Sequence, residues 1–430
     1  MAEDDDQSER PPTVRGGGRR RLLLILSGVL ALLLLAGGAV VWLGYRKLDG
    51  NIGTDTATGK LLRQDESERP ERGPQQARNI LLIGSDDRSG ANGEYGYAGG
   101  QRSDTTILLH LAADGEHATA VSIPRDAMVR VPACELPDGT RSTPRFVQFN
   151  WAFELGGPAC TIRTVERLSG IRIDHHLILD FTGFKKMVDA VDGVEVCVPR
   201  AIHDRNAKLD LPAGRQVLDG EQALGYVRAR ETLGDGSDTQ RMGRQQEFLA
   251  SMVRKVQSTG VLLNPTRLWP LLNAATGSVT ADEGLGRLGA LYDLAQDLRS
   301  MPTSNVVFLT TPRRPYPGNP DRDQLVQPDT DRLFAALRAD GTVNVRAYQV
   351  PASPSPTLLA EGVPTVLPYD PSADGSPAPE PPPGASASPS PEDGPDWAPT
   401  GSPGASASAL PTAAPTLEGR TADQEVCSMH

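Results

Sequence analysis

Aromatic residues make up only 5 % of this 430-residue chain, and it has six histidines and four cysteines. Few large side chains mean few large cores, so one folded domain is expected although the length would hold two. No two cysteines stand in CxxC spacing, and HExxH and GxSxG are missing. The common zinc, dithiol-redox and nucleophile-elbow arrangements are thereby excluded. His175 and His176 are neighbours, so in a strand they point to opposite faces and do not chelate one metal together. Positive charge is also in deficit: 43 Lys and Arg against 54 Asp and Glu leave a net charge of −11. That balance argues against a nucleic-acid binder, while leaving room for a local basic cleft.

What the chain does have is one long apolar run without a charged side chain, LLLILSGVLALLLLAGGAVVWLGY from Leu22 to Tyr45. At about 1.5 Å per residue, a helix of that length spans a bilayer. A cleaved signal peptide has a shorter apolar region and a small-residue cleavage site, whereas this run closes on Trp42 and Tyr45. It reads as a retained anchor. Arg15, Arg19, Arg20 and Arg21 precede it and only Arg46 and Lys47 follow. The positive-inside bias predicts a single-pass protein of the cell membrane, with residues 1–21 a cytoplasmic tail, 22–45 a transmembrane helix and the remainder extracytoplasmic. In that oxidising space Cys134, Cys160, Cys197 and Cys427 suffice for two disulfides, with four buried thiols as the alternative.

Residues 46–77 are polar and lack apolar periodicity, which predicts a stalk. The folded domain is expected over 78–345. NILLIG (79–84) has the pattern of a short buried strand, and TTILLHL (Thr105–Leu111) and HATAVSI (His117–Ile123) flank an Asp114-Gly115 turn as a hairpin. HLILD (His176–Asp180) and GVEVCV (Gly193–Val198) bracket a helix with Phe181, Phe184, Val188 and Val191 on one face. Further helices are expected at 161–169, 240–257, 266–275 and 283–299, and a late strand at Asn305–Thr310. Interleaved strands and helices predict an α/β fold, a sheet covered by helices. From 346 to 418 the chain is Pro/Ala/Ser-rich low complexity, expected to be a disordered linker before a Cys-containing segment, 419–430.

Two familiar patterns are set aside. Gly284 to Gly289 fits GxGxxG but follows Ala-Asp-Glu and falls in the expected 283–299 helix, so it is no dinucleotide loop. Gly53 to Lys60 has the wrong spacing for a phosphate-binding P-loop and lacks the final Ser or Thr. What remains is a set of arginines and aspartates at the ends of expected strands. Gly84-Ser85-Asp86-Asp87-Arg88 follows one strand, Arg102-Ser103-Asp104 precedes the next, and Pro124-Arg125-Asp126 follows a third. Neighbouring strands would bring these three clusters to one edge. Arg228 and Arg230 in Tyr226–Arg230, read as extended, point the same way. Arg241, Arg244 and Gln245 share one helix face, with Met242, Leu249, Val253 and Val256 on the buried one. Surface ion pairs would account for any single cluster. Five together point to an anion site, because the guanidinium fork suits phosphate oxygens and adjacent acids suit a shared divalent cation.

In order and spacing, NILLIGSDDR, RSDTTILLHL, AVSIPRDAMVRVP, FNWAFELGG and YVRARETLGDGSDTQRMGRQQ closely resemble the LytR-CpsA-Psr (LCP) family over roughly residues 78–340. The resemblance implies an α-β-α layered domain with a central mixed sheet and an apolar pocket for a lipid tail. It further implies a Mg²⁺-assisted transferase that moves a glycopolymer from a polyprenyl-pyrophosphate carrier to peptidoglycan. Carried over by motif, Asp86 and Asp104 resemble the organisers of metal and pyrophosphate. Arg102, Arg125, Arg228, Arg230 and Arg241 resemble the pyrophosphate-binding arginines, and Gln245 the glutamine closing R-x-x-R-Q. Asp86, Asp104, Arg125, Arg228 and Arg230 are the expected catalytic set. Two departures stand out: Trp151 replaces a small residue, and no second C-terminal domain is expected.

A wall-binding or regulatory protein of the same fold, or a hydrolase of the same donor, fits the same residues, although no motif charge is lost. Cys134 and Cys160 flank one loop-rich segment and are expected to bridge it. Cys197 with Cys427 would then tie back the tail, while an intermolecular bridge or free thiols fit the sequence equally.

Overall fold

The computed structural model describes residues 17–85, 103–136, 138–229, 238–258, 265–346, 414–424 and 427. The chain divides into two units, one ending at Asn51 and one beginning at Ile52. The first holds a single helix, α1 (Gly17–Asn51). Its Leu22–Asn51 stretch is, among the described residues, the one helix long and apolar enough to cross a membrane. Near its end the Arg46 guanidinium lies 5.0 Å from the centre of the Trp42 ring, a cation–π contact.

The second unit begins where a stalk was expected. β1 (Gly53–Asp55), α2 (Thr56–Gln64) and a 3-10 turn at Glu66–Glu68 occupy that segment. Asp55 caps α2 by accepting from the Thr58 amide, and Thr58 and Leu62 are the helix's buried residues. An apolar stripe this short leaves no readable period. Ion pairs tie the turn and its neighbours to the segment 163–172. Arg163 joins Asp65 (2.5 Å) and Glu68, Arg69 joins Glu166 (2.6 Å), and Arg172 joins Glu66 (2.7 Å).

The chain continues through β2 (Arg78–Ser85), β3 (Ser103–Leu111), β4 (Ala118–Ile123), β5 (Met128–Val131), β6 (Arg145–Gln148), α3 (Trp151–Ser169), β7 (His175–Leu179) and α4 (Phe181–Ala190). Next come β8 (Val194–Val198), β9 (Ile202–Asp204), β10 (Leu209–Leu211), β11 (Gly214–Leu218), α5 (Gly220–Arg228), α6 (Asp238–Ser258) and α7 (Pro265–Thr276). The last elements are β12 (Val279–Asp282), α8 (Leu288–Ser300), β13 (Val306–Thr310), β14 (Arg313–Tyr316), β15 (Asn319–Leu325), α9 (Asp329–Arg338), β16 (Asn344–Arg346) and β17 (Thr416–Thr421).

Nine strands form one mixed sheet in the order β1-β12-β7-β2-β3-β4-β13-β17-β16. β2, β3 and β4 are successively antiparallel, β7 is parallel to β2, and β13 is parallel to β4. The C-terminal ends of β2, β7, β4 and β13 and the N-terminal end of β3 therefore lie together. Leu81, Ile83, Leu108, Val121 and Leu309 turn one face of the sheet towards Ile162 and Val165 of α3 and Leu333 and Phe334 of α9. A second cluster joins α4, α5 and α6 to β8–β11 through Val188, Val196, Leu218, Tyr226 and Phe248. The fold is mixed α/β, a central mixed sheet flanked by helices.

Several expectations are corrected. The 283–299 helix starts only at Leu288, because Asp282 ends β12 and accepts from the Gly284 and Leu285 amides in a turn. GxGxxG thus does follow a strand. Added Cβ atoms at Gly284 and Gly286 would meet His175, Asp282 and Thr54 within 3.0 Å, so the protein's own atoms fill the space a phosphate would need. The 161–169 helix starts ten residues earlier, as α3, and kinks at Gly156-Gly157. The tail boundary also moves: Thr416–Thr421 is one strand, crossing the expected division at 418/419. Cys134–Cys160 and Cys197–Cys427 are disulfides, with Cα separations of 5.5 and 5.6 Å.

Candidate active site

Antiparallel pairing of β3 with β4 matches Thr106 to Ile123, and two residues further on Asp104 faces Arg125 across the strands. Arg125 Nη1 donates to Asp104 Oδ1 at 2.5 Å. This pair sits at the shared strand end, both side chains partly shielded from solvent. Arg125 Nε donates to Asp126 Oδ2 (3.2 Å), and Gln148 Nε2 donates to Asp126 Oδ1 (2.5 Å). The Asp126 carbonyl accepts in turn from the Asp323 amide. Asp126 thus grips the side of the guanidinium facing away from Asp104.

Phe181 follows the C-terminal end of β7, where Asp180 caps α4 by accepting from the Gly183 amide (2.6 Å). The Arg228 guanidinium carbon lies 4.9 Å from the centre of the Phe181 ring, which brings the end of α5 to the same strand end. Here a further expectation is corrected. Tyr226–Arg228 is helical, not extended, because Asp219 and Gln222 form a capping box that starts α5 and carries it to Arg228. Ala229, at φ −54° and ψ 139°, is where the chain leaves the helix.

α6 is tied to this end by two hydrogen bonds. Gln246 Nε2 donates to Thr310 Oγ1 at the end of β13 (2.7 Å), and Gln245 Nε2 donates to the Val227 carbonyl (3.2 Å). Arg244 donates to the Ala229 carbonyl. Arg241 is buried, as is Met242. Beneath them Tyr226 donates to Glu247 Oε2 (3.2 Å). Burial pushes the Glu247 carboxyl up, with Arg420 opposing it most strongly, and burial also raises the Tyr226 phenol. Burial lowers the Arg244 guanidinium against the pull of Tyr226, Asp204 and Glu247.

Asp104, Arg125, Arg228, Arg241 and Gln245 are therefore assembled around one end of the sheet. Asp86, Arg102 and Arg230 lie outside the described residues. Sequence reasoning left Gln148, Phe181 and Gln246 without a site role and did not single out Asp126 from its Pro-Arg-Asp cluster. Asp126 was findable as the acid beside a flagged arginine; Gln148 depends on strand register, and Phe181 and Gln246 on how α4 and α6 pack at the strand ends. No group of three or more His, Cys, Asp or Glu able to hold a metal ion occurs among the described residues. Asp104 offers hard carboxylate oxygen beside a cation-rich rim, which suits Mg²⁺ shared with phosphate oxygens.

Guanidiniums and a carboxylate thus gather where parallel and antiparallel strands end in a mixed α/β domain. A family model, the LytR_cpsA_psr family, matches residues 46–337, well over half of the chain, and the chain belongs to the LytR-CpsA-Psr family. It is 40 % identical over 236 residues to the probable cell wall biosynthesis protein LcpB of Corynebacterium glutamicum, covering 53 % of this chain and 54 % of that protein. It is 33 % identical over 186 residues to the polyisoprenyl-teichoic acid–peptidoglycan teichoic acid transferase TagT of Bacillus subtilis, covering 42 % and 53 %. The match spans about half the length of each of these relatives. The crystal structure of protein gbs0355 from Streptococcus agalactiae is similar in fold, with a TM-score of 0.51 at 19 % identity, covering 62 % of this chain and 89 % of that one.

Proposed function

We propose that this protein transfers a glycopolymer from a polyprenyl-pyrophosphate carrier to peptidoglycan, working outside the membrane in which α1 anchors it with its N-terminus cytoplasmic. The observation that carries this reading is the Asp104–Arg125 pair at the strand end where Arg228 and α6 also arrive. An acceptor sugar hydroxyl attacks the phosphorus bearing the glycopolymer, and a new P–O bond forms. The bond from that phosphorus to the bridging oxygen breaks, and the lipid monophosphate leaves. A site aspartate takes the hydroxyl proton. Arg125, Arg228 and Arg241, with Arg102 and Arg230, hold the pyrophosphate and offset the charge that builds on it. Asp86 and Asp104 are the residues that would hold Mg²⁺, which when bound adds further neutralisation of phosphate charge. Tethering raises the effective concentration of a donor that is itself embedded in lipid.

The test uses the detergent-solubilised full chain with a synthetic lipid-pyrophosphate-sugar donor, with and without a peptidoglycan oligomer and Mg²⁺. Sugar phosphate attached to the oligomer is the expected product. Release of free sugar phosphate alone would make the protein a hydrolase, and no turnover with retained donor binding would make it a wall-binding protein.

A further inference from the structure

The family match ends at residue 337, yet β17 lies inside the central sheet, between β13 and β16. Its antiparallel register with β13 matches Phe308 to Arg420 and Leu309 to Gly419. Alternation puts Leu417 on the face packed against α3 and α9 and Arg420 on the other, towards α6. From there the Arg420 charge acts on Glu247 and Tyr226, drawing both down against their burial. Burial lowers the Arg420 guanidinium, and Glu247 is the main effect opposing that.

α6 is tied to this part of the molecule at two places, one on β13 and one just past the end of β17. Gln246 is bound to Thr310 at the site end. Arg254 Nη1 donates to the Ala422 carbonyl (2.5 Å) and the Gln424 carbonyl (3.3 Å) at the far end. Beyond them Cys427 is bonded to Cys197 on β8. α6 is thus tied to the segment that closes β17 by a double carbonyl grip, with the half-buried Arg420 charge acting on Glu247, and that segment is bonded to β8 by the disulfide.

We propose that β17 with Cys427 is a positioning element of the active site, fixing α6 through Arg420 and Arg254 and thereby the placement of Arg241 and Gln245. Arg254 and Arg420 are positioning residues: they touch the helix and the strand that carry the site, not the donor. The catalytic consequence rests on the pyrophosphate reading above, whereas the mechanical part does not. A shift of about 1 Å in a binding arginine suffices to cost on the order of a hundredfold in rate.

The test compares the full chain with Arg254→Met, Arg420→Met and Arg420→Lys. Three quantities are read: hydrogen exchange of α6 amides, affinity for inorganic pyrophosphate, and KM against kcat for the lipid donor. The two Met variants are expected to speed exchange in the first turns of α6 by about tenfold while β2–β4 keep their protection. Pyrophosphate binding should weaken and donor KM rise more than kcat falls, with Arg420→Lys close to the parent. Should the Met variants misfold, a specific protease site placed within 347–413 replaces them. The nicked parent, still cross-linked, keeps pyrophosphate affinity, and the nicked Cys197→Ser/Cys427→Ser chain loses it. Unchanged α6 exchange in both Met variants, or unchanged affinity in the nicked Ser chain, overturns the proposal. A parent that binds no pyrophosphate and transfers nothing defeats the functional reading instead, and α6 exchange still decides the role of β17.

Discussion

Arg228 is held from two directions, by the α5 helix that ends on it and by the Phe181 ring beneath it. Arg228→Ala is expected to slow transfer in the donor assay by about ten- to a hundredfold with the melting temperature little moved, since a charge-assisted phosphate contact is worth about 1.5–3 kcal/mol and an exposed cation–π contact about 0.5–1 kcal/mol. Asp104→Asn keeps a hydrogen-bond acceptor for Arg125 but removes the charge, so it should cut Mg²⁺-dependent turnover while leaving donor binding through the lipid intact. Away from the site, His110 is buried between Asn79 (2.8 Å) and Asp340 (3.0 Å). Burial lowers the imidazole below its ordinary 6.5 against the opposing pull of Asp340, Asp174 and Asp114. A lowered folded value means the unfolded chain binds the proton more readily, so stability is complete above 6.5 and falls as pH drops below it. His110→Gln should flatten the melting temperature between about pH 7 and 5 relative to the parent, as calorimetry would show. At this scale the sequence was informative about charge and mute about partners. Arg125 and Asp104 were flagged as neighbours of strands, but that they touch, and that Gln148 props Asp126, depends on register alone.

Among the elements, β2, β3, β4, β7, β8 and β13 and the helices α1, α3, α4, α6, α7 and α8 were legible from the sequence, and the others were missed for different reasons. α2 and the following turn escaped notice because α2 buries only Thr58 and Leu62 and the turn is held by ion pairs to α3 and to Arg172 beyond it, neither of which leaves an apolar period to read. Arg163 is the centre of that attachment, with its side chain 7 % exposed. Arg163→Ala leaves Asp65 without that partner and should cost about 3 kcal/mol in denaturant unfolding, the magnitude for breaking a largely buried pair. The kink in α3 was also unreadable. Gly157 sits at φ +61°, and a Cβ on Gly156 would lie 2.9 Å from Cys160 Cβ and from the Glu135 carbonyl. The same Cβ would lie 3.2 Å from Cys134 Cβ, the other half of the disulfide. The GxGxxG turn failed for the opposite reason: its glycines answer to packing against His175 and Thr54, not to a ligand.

For the whole molecule, the α/β class and the gathering of charged clusters at one end of a sheet followed from the interleaving of strand and helix signals. The entry of β17 into that sheet did not, because its alternation is brief and lies beyond a long low-complexity stretch. Cys134–Cys160 closes a loop of sequence separation 26, so a Cys134→Ser/Cys160→Ser chain should lose about 3 kcal/mol on the chain-entropy account, read by denaturant unfolding. One further consequence follows from the pairing of β16 with β17. They are adjacent and parallel, with Asn344 opposite Thr416, so the chain leaves Arg346 and returns at Ala414 within roughly 15 Å. Doubling the length of such a connection costs only about 0.6 kcal/mol. Evolution is free to lengthen or shorten this span without disturbing the sheet, and an engineer is equally free to splice a fluorescent or affinity module into it as a permanent passenger.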